Sequence, residues 1–196
     1  MVVLNWTAVS ESRRHMALDN VAQLVDVLSR RDRLGRVFAR HAYGMRAWVD
    51  RFSARIAPIE DPERKALVAV LVADNARHMM LFRERALAHG VDPDAYECPA
   101  EGEAIYERIV EIDAIDELIG YALGSLDHFD ELLGVYRAAA DGADADAIDA
   151  VRADVTRMRA ALRPLCGPEA ERRAAEAHEL YRVRELVETP RYAHAG

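Results

Sequence analysis

Asp61-Pro62-Glu63-Arg64, continuing through Asp74-Asn75-Ala76-Arg77-His78 to His89-Gly90, is the stretch whose reading decides the fold. Asp61 is an N-cap residue, Pro62 suits the first helical position because its φ is already helical, and Gly90 is a helix stop after His89. Between them Val68, Leu71, Met79, Phe82 and Ala86 recur at three- and four-residue steps and form one apolar stripe. Asn75 and His78 lie on that stripe. A buried amide or imidazole without a partner costs about 1–3 kcal/mol, so this helix must face other polar groups inside the molecule.

Working outward, the same pattern recurs. Before this helix the spacing predicts one over 11–29 and another over 33–56. The second carries the stripe Leu34, Val37, Phe38, His41, Met45, Trp48, Phe52 and Ile56, with Asp32 as its cap. After it come a proline-bearing loop over 91–101 and a long helix over 102–139 that bends near Asp113. The spacing then predicts a helix over 146–165 capped by Asp144, and a last one over 169–188 before a loose tail after Pro190. Long helices joined by short links predict an all-α, up-down four-helix bundle over 33–165, with extra helices at 11–29 and 169–188 and one domain over 1–196. The apolar faces of those two extra helices predict a homodimer.

The 196 residues are 51% hydrophobic, which is the composition of a folded chain. A net charge of −8 and an isoelectric point near 5.4 argue against nucleic-acid or anionic-membrane partners, which need a basic face. Neither a signal-type N-terminus nor an apolar run of about 18 residues is visible, so the expected place is the cytoplasm. Cys98 and Cys166 have no metal-type spacing.

Three helices place a histidine on the inward stripe: His41, His78 and His128. Opposed stripes would gather them at mid-bundle, where helical bundles build metal and cofactor sites. Glu117, Tyr121, Gly124, His128 and Glu131 share one face of the fourth predicted helix, which makes Glu117 or Glu131 an oxygen ligand beside His128. Asp74 either pairs with Arg77 or orients a histidine by accepting its ring N–H. Tyr121 is within reach of a site built on His128.

Asp74-Asn75-Ala76-Arg77-His78 followed by Met79-Met80-Leu81-Phe82 resembles the Glu-Glu-x-Arg-His stretch of the ferritin-like di-iron carboxylate proteins, a superfamily of ferritins, rubrerythrins, manganese catalases and di-iron oxygenases. The resemblance implies a ferritin-like bundle with iron or manganese held by His78 and, through Ser125-Leu126-Asp127-His128, by His128. Asn75 and Ser125 stand where that pattern has glutamates, and His41 stands where it has another. The expected function is therefore a metal-dependent oxidoreductase or oxygenase acting on a small molecule. Its metal ligands would come from His41, His78, His128, Glu117 and Glu131, with Asp74 and Tyr121 as catalytic groups and Asn75 and Ser125 contacting the cofactor. The alternative is a metal-free bundle that binds a ligand or serves in assembly.

Overall fold

The organising helix forms as its ends dictate. The Asp61 carboxylate accepts from the backbone N–H groups of Glu63 and Arg64, both at 2.9 Å, and Gly90 turns the chain away with φ of 73°. That φ lies in the left-handed region where only glycine is free of strain.

The computed structural model describes residues 31–194, with side chains over 33–182 apart from Glu101. Regular structure among them is entirely helical: α1 (Arg31–Ile56), α2 (Pro62–Ala88), α3 (Ala100–Glu111), α4 (Ile115–Ala139), α5 (Gly142–Leu162) and α6 (Pro168–His194). Short 3₁₀ turns occupy Pro93–Ala95 and Arg163–Leu165. The helix expected over 11–29 lies outside the described residues. No helix among them is long and apolar enough to cross a membrane.

Several expectations are corrected. The predicted helix over 102–139 is two helices broken at 112–114. Ile112 and Ala114 are extended, and Arg55 of α1 donates to the carbonyls of Ile112 and Asp113, supplying partners that a continuous helix would otherwise provide. Asp144 does not cap α5. Asp141 holds the cap position, and Asp144 accepts from Arg85 Nε at 2.7 Å while facing His89 Nε2 at 2.7 Å. The last helix starts at Pro168 and continues to His194, past the expected loose tail.

The order of the helices is not simply up and down. Arg64 meets Asp116 and Phe82 meets Phe129, so α2 and α4 run in the same direction. Residues 89–114, including α3, carry the chain back between them. α1 is antiparallel to α2, with Phe38 stacked on Phe82 at 5.7 Å, and α5 is antiparallel to both α2 and α4. α4 is the inner helix: fourteen of its residues are buried, on every side.

α6, expected at the periphery, makes the closest helix contact described. A Cβ built on Gly120 would lie 2.2 Å from the Ala170 carbonyl oxygen, and one on Gly124 would lie 2.0 Å from that of Ala174. Residue numbers rise together across these pairs, so α4 and α6 are parallel and their backbones touch. Ala170 and Ala174 thus face α4. Carried one turn further, the same register brings His128 against His178, with ring centroids 5.6 Å apart.

A methyl group at Gly124 must push two backbones apart. Gly124→Ala should lower stability by about 1–3 kcal/mol in urea unfolding. Gly134→Ala, whose Cβ would meet only the Arg152 side chain at 3.6 Å, should raise it by about 0.5–1 kcal/mol. Equal effects at the two positions would show that the backbones are not in contact.

Candidate functional site

The polar residues of the α2 stripe line a chamber of about 60 Å³ at mid-bundle. Imidazoles from three helices, His41 of α1, His78 of α2 and His128 of α4, form part of its wall, together with Asn75 and Ser125. A water needs about 10–15 Å³ by this kind of measure and an engineered cavity of about 150 Å³ takes benzene, so the chamber suits a molecule of only a few heavy atoms.

Several of the expected site residues are hydrogen-bonded within the protein itself. His41 Nε2 and the Tyr136 hydroxyl share a hydrogen bond at 2.9 Å, and its ring packs 5.1 Å from Phe129. His78 Nε2 lies 3.1 Å from Asp154 Oδ2. Asn75 donates Nδ2–H to the Leu71 carbonyl at 2.8 Å, and Ser125 donates its hydroxyl to Ala122 O at 3.0 Å. Both bonds run back along their own helix, so neither residue depends on a cofactor for a partner. The Tyr121 hydroxyl, expected near the chemistry, donates instead to Ile105 O at 2.8 Å. Glu117 is bonded to Arg173 of α6 and sits about 16 Å along α4 from His128, out of reach of a common ion.

Asp74 does pair with Arg77, at 2.8 Å, but it does not orient His78. That role falls to Asp154, which the spacing of α5 gave no reason to single out. The two aspartates and two arginines close a ring. Arg157 Nη2 donates to Asp74 Oδ2 at 2.9 Å and to Asp154 Oδ1 at 2.8 Å, and Arg77 Nη2 contacts both carboxylates. Burial alone would raise the Asp154 pKa. Hydrogen bonds from Arg157, Arg77 and His78 outweigh that and hold it well below the usual carboxylate range. For His78 burial wins: it lowers the pKa more than Asp154 raises it, so the ring is neutral at pH 7.

A centre with two metals bridged by carboxylates does not fit these residues. Asn75 and Ser125 carry no carboxylate, and Asp74 and Asp154 already answer to two guanidinium groups. Metal-capable side chains do converge beside the chamber, where His128 of its wall meets α6. Among the described residues one group of three has its ligand atoms all within 4.8 Å of one another: His128, Glu131 and His178. His178 Nε2 is 3.1 Å from Glu131 Oε1, and His128 Nδ1 is 3.9 Å from Glu131 Oε2. His128 and Glu131 are sequence-predicted ligands that the structure brings together. The sequence offers His178, near Tyr181, only as a pocket-entrance residue to set aside and not as a ligand; Ala170 and Ala174, preceding it at four-residue spacing, were the available signal. Tyr181, one turn beyond, has its ring 6.3 Å from that of His128 and accepts from Trp48 Nε1 at 3.1 Å.

No family model, characterised protein or solved structure matches this chain.

The His78 shift has a signed consequence. The unfolded chain binds a proton near the ordinary value of 6.5, whereas the folded chain resists it until lower pH. Stability therefore falls as pH drops through 6.5 towards the folded value, by up to about 1.4 kcal/mol per pH unit. His78→Gln should flatten that part of the wild-type curve in urea unfolding between about pH 7.5 and about pH 5. Parallel curves would mean that the imidazole is not held neutral.

Proposed function

We propose that this protein is an oxidoreductase of ferritin-like type acting on a small molecule, with iron or manganese as its cofactor. The observation that carries the reading is the mid-bundle chamber, whose wall draws imidazoles from three different helices into one small volume. The single long crossover between α2 and α4, which keeps these helices parallel, supports the ferritin-like assignment, since that connection is the one such bundles use.

In this reading the metal supplies one-electron chemistry that side chains alone lack. His128 is the chamber imidazole with a carboxylate and a second imidazole beside it, so it would hold the ion. His78, neutral and tied to Asp154, would hold or release a proton at the chamber. Met45, Trp48 and Phe129 exclude bulk water and limit what enters by size.

A second reading is favoured by the ring of Asp74, Arg77, Asp154 and Arg157. Two guanidinium charges there balance carboxylates as two cations would, which suits a metal-free bundle that binds a small ligand.

Dioxygen uptake separates the two. Protein loaded anaerobically with Fe(II) and then mixed with oxygenated buffer should consume dioxygen at least about tenfold faster than free Fe(II) at the same pH. Ser125→Leu, which fills the chamber, should remove most of that acceleration. Uptake no faster than that of free Fe(II) would turn the assignment to the ligand-binding reading.

A further inference from the structure

We propose that His128, Glu131 and His178 form a binding site for one divalent transition-metal ion at the contact between α4 and α6. The inference deepens the oxidoreductase reading and rests on it for the metal's redox role, while binding itself is measured separately.

Two imidazoles and one carboxylate are borderline-to-hard donors that suit Fe(II), Mn(II), Co(II) or Zn(II). Metal–ligand bonds to nitrogen and oxygen are about 2.0–2.2 Å, so two ligand atoms on one ion stand at most about 4.4 Å apart. The 3.1 Å from His178 Nε2 to Glu131 Oε1 and the 3.9 Å from His128 Nδ1 to Glu131 Oε2 lie within that limit, one to each carboxylate oxygen. One ligand atom from each residue lies within 4.8 Å of the other two, so a shift by rotation about side-chain torsions suffices to bring all three onto one ion.

The backbone arrangement favours such a shift over a larger one. His128 and Glu131 are three residues apart on α4 and therefore on one face. Gly120 against Ala170 and Gly124 against Ala174 hold α6 in a register that delivers His178 to that face. The rings of His128 and His178 meet edge to face at 86°, and a nitrogen of each lies within 4.8 Å of the other and of a Glu131 oxygen. Neighbouring carboxylates do not compete: Asp127 is engaged by Arg159 and Arg163, and Asp130 by Arg152 and Arg159.

Exposure gives the site two sides. The His128 side chain is only 6% exposed and belongs to the chamber wall, whereas His178 is 31% and Glu131 63% exposed. An ion bound by these three ligands keeps open positions. One side is reached from solvent past Glu131 and the other from the chamber, so a co-ligand too large for about 60 Å³ must approach from outside.

The test is titration of metal-free protein, without a histidine tag, by Co(II), followed by visible absorption and calorimetry. Wild type should bind one equivalent with ligand-field bands of a nitrogen- and oxygen-ligated ion. His178→Ala and Glu131→Ala should each weaken binding more than about a hundredfold, beyond the 10–100-fold typical of outer contacts. Both side chains are partly exposed, so the variants should keep the wild-type melting temperature without metal, which separates lost ligation from lost folding. His41→Gln should bind Co(II) as wild type does. No binding by wild type, or binding abolished by His41→Gln but retained in His178→Ala, would overturn the site. One equivalent bound here without accelerated dioxygen uptake would leave the site standing and remove the oxidoreductase reading.

Discussion

The contact of bare backbone between α4 and α6 is the constraint on which the rest of this molecule depends. Glycine at 120 and 124, opposite alanine at 170 and 174, lets two parallel helices approach until a Cβ would collide with a carbonyl oxygen. Side-chain packing alone would hold them about 8–10 Å apart. The close approach fixes register as well as distance, because only one sliding position sets small residue against small residue. It follows that His178 reaches His128 and that Tyr181 lies among Trp48, Tyr121 and His128.

A second constraint acts on the opposite side of the chamber. Asp74 and Asp154 are carboxylates at the boundary of the interior, and two half-exposed arginines reach over them from α2 and α5. Burying an unpaired carboxylate is costly, and a closed ring of two acids and two bases removes that cost without any ion. The same ring fixes Asp154 beside His78 and so decides which imidazole nitrogen faces it. The chamber thus has one wall whose charge is internally balanced, while at another His128 backs onto Glu131 and His178 at the contact of α4 and α6.

Helix positions were legible in the sequence because they rest on local signals. Asp61, Pro62 and Gly90 delimit α2 as their chemistry requires, and the stripe from Leu34 to Phe52 is buried in the way its spacing implies. Asn75, His41, His78 and His128 were rightly placed inside, since they fall on those stripes. What periodicity cannot carry is direction and pairing between helices. The crossover over 89–114, the partnership of His78 with Asp154 and the docking of α6 all depend on contacts between residues far apart in the chain. Glu117 and Glu131 looked equivalent from spacing on one helix; a guanidinium from α6 takes the first, and an imidazole from α6 joins the second. The role of Gly120 and Gly124 emerges only beside Ala170 and Ala174.

The central claim is that metal chemistry here belongs to a single ion at the α4–α6 contact and not to a pair at mid-bundle. Elemental analysis tests it most directly, on untagged protein expressed with iron and manganese and purified without chelator. The account predicts about one equivalent of transition metal per chain, lost in His178→Ala. Two equivalents, or less than about a tenth of one in correctly folded protein, would contradict it.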